Sequence, residues 1–217
     1  MSERIAVIDF GSTYTEFIYR SLQKLGYDFE KFVVTKDKPD GREIFEQIKK
    51  TQWLGIILSG SKDNLYNPDA RRLPENFLGF ILQNRVPTLG ICYGHQLLVH
   101  LSNEGKIALN PSGFEKGHYT FTQTQLGFPL FKGLPAKFKA KMHHYDIIET
   151  LPLNFKNFGK TEKTQYGAIQ LSQNGEDFPI FGIQLHPEKS FRRVNNVIFN
   201  NFYEVCIQKQ KKSIDNQ

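Results

Sequence analysis

Cysteine is nearly absent from this chain of 217 residues: there are only Cys92 and Cys206. They form no CxxC pair and show no metal-ligand spacing, so no metal site is expected, and the sparse usage suits a reducing compartment. Long apolar runs are missing too. None approaches membrane-spanning length, and Met-Ser-Glu-Arg leads straight into a strand with no signal-peptide pattern. The expectation is a soluble, cytosolic protein with no membrane partner. Charge lacks any strong bias: Lys and Arg number 28 against 22 Asp and Glu, a net charge of +6, part of it held by Lys209, Lys211 and Lys212. No basic stripe is interleaved with aromatics, so nucleic-acid binding is not supported. The excess fits a solvated surface or, more weakly, docking to an acidic partner. Repeats, low-complexity linkers and internal domain boundaries are also lacking. The length suits one large α/β domain, over residues 1–208, followed by a polar, frayed tail over 209–217.

Strands and helices alternate through the first half. Residues 5–8 are an apolar strand run ending in Asp9-Phe10-Gly11-Ser12. A helix is expected over 14–25, with Phe17, Ile18, Leu22 and Leu25 at helical spacing and Gly26 as its stop. A strand over 27–35, a helix over 42–50 and a buried strand over 55–58 follow. Residues 62–73 read as a loop and 74–84 as a helix with proline in its first turn. Alternation at this spacing predicts a mostly parallel central sheet flanked by helices on both faces. From about Gly105 the texture becomes β-rich, with segments near 117–124, 137–142, 167–171 and 179–185, which predicts antiparallel strands added to the sheet. A final helix is expected over 194–209. Its apolar face is Val194, Val197, Ile198, Phe202 and Val205, with Cys206 as a packed thiol.

The chemistry concentrates at residues 87–98. A short apolar run enters Gly90-Ile91-Cys92-Tyr93-Gly94, and a helix pattern follows through His100. Gly-x-Cys-x-Gly between strand and helix is the thiol version of a nucleophile elbow. The turn exposes the side chain, and its strained backbone requires small residues two before and two after. It also places Cys92 at a helix N-terminus, where free N–H groups and the helix dipole favour the thiolate. A cysteine nucleophile needs a base and a group to orient that base. His186-Pro187-Glu188, at the tip of the strand over 179–185, offers both: Pro187 stiffens the backbone, and Glu188 reaches back to the imidazole. His95, His100 and His118 read as structural or surface residues.

These stretches resemble the class I (triad) glutamine amidotransferases, and within them the glutaminase part of the GMP synthetase branch. The resemblance rests on Asp9-Phe10-Gly11-Ser12 with Tyr14-Thr15, on Ile57-Leu58-Ser59-Gly60, on residues 89–96 and on residues 182–188. It implies a flavodoxin-like α/β fold and the catalytic residues Cys92, His186 and Glu188. It further implies an oxyanion hole from the backbone N–H groups of Gly60 and Tyr93, with Gln96, His143, Tyr145 and Asp146 around the glutamine. Cys92 would attack the carboxamide, His186 would move protons, and Glu188 would orient His186. Residues 62–70 resemble the branch's loop after its Gly-Gly.

The pattern is not followed everywhere. Ser61 stands where the family has a second glycine. His143 and Tyr145 replace the serine and the glycine of Ser-His-Gly-Asp, and Lys189 follows His-Pro-Glu in place of Val or Ser. There is no Gly-rich phosphate loop. The resemblance therefore implies no cofactor in this chain and a separate ATP-pyrophosphatase subunit that carries ATP and Mg²⁺. The preferred reading is a glutaminase subunit supplying ammonia for conversion of xanthosine monophosphate (XMP) to GMP. The alternatives are a free-standing thiol hydrolase of γ-glutamyl compounds and a non-catalytic regulatory relative.

Overall fold

Ile5-Ala-Val-Ile opens the first strand, β1 (Ile5–Phe10), and all four side chains are fully buried. A strand covered on both faces needs apolar residues without alternation, which is the pattern of the middle of a parallel sheet. The computed structural model describes residues 3–215, with side chains as far as residue 212. The expectations for Met1 and Ser2, and for the last two residues of the tail, lie outside the described residues.

β1 pairs in parallel with β2 (Phe29–Val33) and β3 (Gly55–Ser61). The connections are helical: α1 (Thr15–Lys24), α2 (Arg42–Lys49) and α3 (Asn76–Gln83). β3 pairs in parallel with β4 (Thr88–Ile91), which turns directly into α4 (Tyr93–His100). A small antiparallel ribbon, β5 (Lys106–Leu109) with β8 (Asp146–Thr150), stands apart from the main sheet. The remaining strands are β6 (Glu115–Gln123), β7 (Lys137–His144), β9 (Phe155–Lys160), β10 (Ala168–Gln173) and β11 (Glu176–Ile183). The main sheet runs β2-β1-β3-β4-β11-β10-β9-β6-β7. It is parallel from β2 to β11 and antiparallel beyond. This is the expected α/β architecture with added antiparallel strands.

Two apolar cores lie on the two faces of the sheet. Ile5, Val7 and Leu89 meet Ile18 and Leu22 of α1 and Ile198 and Phe202 of the last helix, α5 (Arg192–Asp215). Ala6, Ile8 and Leu58 meet Phe45 of α2, Phe77 of α3 and Leu97 of α4. Cys206 packs fully buried on the first face, and burial pushes its thiol pKa up. α5 continues to Asp215, through the stretch read from sequence as a polar tail. β5, β8 and β9 were not foreseen; β5 and β8 are short and pair with each other across a long stretch of chain. Among the described residues no helix is long and apolar enough to cross a membrane.

Candidate active site

The C-terminal ends of three parallel strands meet, which is where open α/β sheets place their ligand sites. Ile91 of β4 lies opposite Ile183 of β11, and Gly90 lies opposite Leu58 of β3. The chain is therefore forced to deliver Gly60, Cys92 and His186 to one neighbourhood.

Cys92 leaves β4 at φ 53° and ψ −101°, a left-handed backbone that side-chain-bearing residues rarely adopt. Its N–H donates to the Ile183 carbonyl at 2.8 Å, and its own carbonyl accepts from the Gln96 N–H at 3.2 Å. The flanking glycines allow this turn. A Cβ on Gly90 would lie 2.4 Å from the Gly94 carbonyl oxygen, and one on Gly94 would lie 2.4 Å from that of Leu58.

His186 follows β11 and is clamped through its backbone. Its N–H donates to the Lys141 carbonyl at 2.8 Å, and its carbonyl accepts from Ser190 Oγ at 2.7 Å. Pro187 begins a 3-10 turn, Pro187–Lys189, that curls Glu188 back. His186 Nδ1 then lies 2.7 Å from Glu188 Oε1, with both side chains out of solvent. Burial alone would lower the imidazole pKa. The Glu188 carboxylate and the Cys92 sulfur outweigh it and raise it to about 10. An imidazole between a carboxylate and a thiol can move a proton to and from a reacting group.

A stability signature follows. The folded protein binds the His186 proton more tightly than the unfolded chain, where histidine titrates near ~6.5. The stabilisation is complete below that pH and is lost as pH rises through about 10, because the unfolded state binds fewer protons over this window. Urea midpoints of wild type and His186→Gln should therefore converge between the two pH values. Parallel midpoints across that window would show that the proton is not held this way.

A cavity of about 240 Å³ opens onto Cys92 and His186, walled by Tyr14, Phe114, His143 and Asp146. Gln96 and Tyr145 also line it. Glu188 lies behind His186. Gly60 abuts the imidazole, since a Cβ there would stand 3.2 Å from His186 Cε1. Tyr93 is the first residue of α4, so its N–H has no intrahelical partner. The His143 carbonyl lies 3.9 Å from Cys92 Sγ, while the His143 ring sits between Tyr14 and Phe114 at 5.3 and 5.4 Å. The exposed Tyr145 ring stacks on Phe114 at 3.9 Å. Burial raises the Asp146 carboxyl pKa. The structure thus gathers every residue named from the sequence for this site.

The profile of the family described as Glutamine amidotransferase class-I matches residues 6–205. The chain belongs to the class I glutamine amidotransferase family. A GMP synthase [glutamine-hydrolyzing] from Thermosipho melanesiensis is 34% identical over 207 residues, covering 95% of this chain and 37% of that protein. The chain thus spans little more than a third of that relative's length. In Pyrococcus abyssi, one subunit of a GMP synthase [glutamine-hydrolyzing] is 31% identical over 204 residues, 93% of this chain and 98% of its own length. The crystal structure of a candidate GMP synthase subunit from Thermoplasma acidophilum shares the fold, with a TM-score of 0.77 and 23% identity over 100% of this chain and 99% of that one.

The departures from the amidotransferase pattern have local explanations. Ser61 Oγ donates to the Phe10 carbonyl at 2.8 Å and accepts from the Asp63 N–H at 3.0 Å, tying β3 to the loop after it. That loop is closed by Arg71, which grips Asp63 through Nε at 2.7 Å and Nη2 at 3.0 Å. The guanidinium occupies the place a Cβ on Gly11 would take, 1.7 Å from Nη1. The Lys189 ammonium lies 3.6 Å from the centre of the Phe17 ring and 5.6 Å from that of Tyr14. Tyr14 in turn meets the His186 ring edge-on at 4.9 Å. As expected, His95 is structural: it is fully buried, with Nε2 2.9 Å from the Tyr166 carbonyl, and burial lowers its pKa to about 3.

Sequence reasoning missed three features of this amidotransferase site. Tyr14 was matched but given no role. Gln184 lies inside the matched run 182–188, two residues before His186, and was passed over. Glu115, at the start of β6, carries no motif at all.

Proposed function

We propose that this chain hydrolyses glutamine to glutamate and ammonia, and that it hands the ammonia to a separate synthetase that converts XMP to GMP. The observation that carries the reading is the strained Cys92 in a cavity with an imidazole held by a buried carboxylate. Cys92 Sγ attacks the γ-carboxamide carbon, and the oxyanion is held by the N–H groups of Gly60 and Tyr93. The C–N bond breaks as His186 gives its proton to the departing nitrogen, which leaves as ammonia. His186 then takes a proton from water, whose oxygen attacks the thioester carbon. The C–S bond breaks with its electron pair on sulfur, and glutamate departs. Glu188 keeps the imidazole in the orientation both steps need. Gln96, His143, Tyr145 and Asp146 surround the glutamine, and ATP and Mg²⁺ chemistry belongs to the partner.

The match along 98% of the Pyrococcus abyssi chain supports a division of the work between two chains. Ammonia released without a partner is lost to solvent, so glutamate release by the chain alone is expected to be slow. Adding the ATP-pyrophosphatase chain, XMP and ATP should raise it by roughly tenfold or more, within the usual range of coupling between sites. Full activity in isolation, with a partner that neither binds nor accelerates, would favour a free-standing γ-glutamyl hydrolase.

A further inference from the structure

We infer that Gln184 is a further catalytic residue: its side-chain N–H donates to the Cys92 sulfur and stabilises the negative charge the sulfur carries before attack and after the thioester breaks. The inference rests on the function proposed above. Gln184 Nε2 lies 3.5 Å from Cys92 Sγ, a hydrogen-bonding separation for an atom as large as sulfur.

The question is whether nitrogen or oxygen of the amide faces the sulfur, because the two look alike in shape. The surrounding hydrogen bonds decide it. The Asp146 backbone carbonyl can only accept. The side-chain group of Gln96 that faces it at 2.8 Å must therefore be the NH₂ end. The other hydrogen of that NH₂ points at Gln184, 3.0 Å away, so the atom it meets is Gln184 Oε1. That leaves the NH₂ of Gln184 for Cys92. Flipping either amide would set like against like, donor on donor or acceptor on acceptor, in a region without solvent. A polar atom left unsatisfied there loses its hydration with nothing in return.

The anchor of this chain of contacts is itself held. The Asp146 carbonyl also faces His144 Nδ1 at 2.9 Å, so both of its lone pairs are used. His144 Nε2 lies 3.1 Å from Glu115 Oε2, and Glu115 accepts from Thr161 Oγ1 at 2.7 Å and Thr164 Oγ1 at 2.5 Å. Glu115 and Gln184 are fully buried. The Gln184 backbone is tied in as well, its N–H donating to the Gly167 carbonyl at 2.9 Å. The Asp146 carbonyl, an acceptor only, thus stands at the far end: Gln96 donates both to it and to Gln184 Oε1, and Gln184 donates on to the sulfur. Glu115 and His144 are positioning residues for this contact.

The direct test is alkylation of Cys92 by iodoacetamide at neutral pH, followed by mass spectrometry. The buried Cys206 serves as the unreactive control. Gln184→Met keeps the side-chain length and removes the donor. It should slow alkylation about tenfold, the order expected for a hydrogen bond to a charged group. It should also lower kcat for glutamate release by a similar factor, with a smaller change in KM and with γ-glutamyl thioester accumulating in the intact protein. A folded Gln184→Met protein that alkylates and turns over like wild type overturns the inference. Should that variant not fold, the wild-type protein still decides. The nitrogen signals of the Gln184 side-chain amide must shift when Cys92 is alkylated, and unmoved signals overturn the contact. If wild type releases no glutamate while Gln184→Met still slows alkylation, the proposed function fails and the Gln184–sulfur interaction stands.

Discussion

Replacing Cys92 with alanine is expected to abolish glutamate release from glutamine, by roughly three to six orders of magnitude, the range seen when the nucleophile of a cooperating catalytic set is removed. No other thiol can substitute, since Cys206 is fully buried and packed against Gly55, at the opposite end of β3 from the site. The His186–Glu188 pair remains but has nothing to activate. The fold should persist. Alanine takes the same positive-φ position at a cost close to that already borne by cysteine, and the backbone bonds from Cys92 to Ile183 and Gln96 do not involve the side chain. The measurement is glutamate production with the synthetase partner present, alongside a thermal melt. Appreciable turnover by a folded Cys92→Ala protein would remove Cys92 from the mechanism.

The largest effect on stability, with a loss of activity beside it, should come from Gly94→Ala. The added methyl would sit 2.4 Å from the Leu58 carbonyl oxygen and 2.9 Å from the Leu58 carbonyl carbon. Both are backbone atoms of β3, a strand paired on each side, so neither can swing away. Relief requires α4 to move off the sheet, and overpacking of this kind costs about 3 kcal/mol or more. In a domain of this size that lowers Tm by about 6–12 °C. Because α4 begins one residue after Cys92, its displacement also moves the nucleophile relative to His186. Alkylation of Cys92 and glutaminase turnover should fall well beyond what partial unfolding explains. A Gly94→Ala protein with wild-type Tm and wild-type alkylation would show that the elbow does not depend on close helix–strand contact. Gly79 provides the control, since a Cβ there meets nothing within 4 Å, and Gly79→Ala in the middle of α3 should be neutral or mildly stabilising.

Much of this was legible in the residues themselves. Uninterrupted apolar runs such as 5–8 and 55–58 announced strands covered on both faces, because only the interior of a layered α/β fold has a use for them. Gly90 and Gly94 announced the elbow, since a turn that tight has no room for side chains. His-Pro-Glu announced a local pair, because a histidine and a carboxylate two positions apart can meet through one turn of backbone. These are properties of short segments, and short segments carry their own geometry.

What the segments could not contain is which strand lies beside which. Only the parallel pairing of β4 with β11, Ile91 against Ile183, places Cys92 beside His186, and that register is set by how both strands bury their two faces. The sharp passage from β7 through Tyr145 into β8 turns the Asp146 carbonyl inward. Without that carbonyl, nothing determines the direction of the Gln96 and Gln184 amides. Glu115 has no pattern around it at all. It matters because β6 pairs with β7, Glu115 opposite His144, and because the connection from β9 to β10 brings Thr161 and Thr164 to its oxygens. Local sterics and burial patterns made most of the elements, the Cys92 elbow and the His186–Glu188 pair readable from short segments. How Cys92 meets His186 and how its sulfur is held follow from sheet register, because hydrogen bonds between remote side chains exist only once register has set their distances.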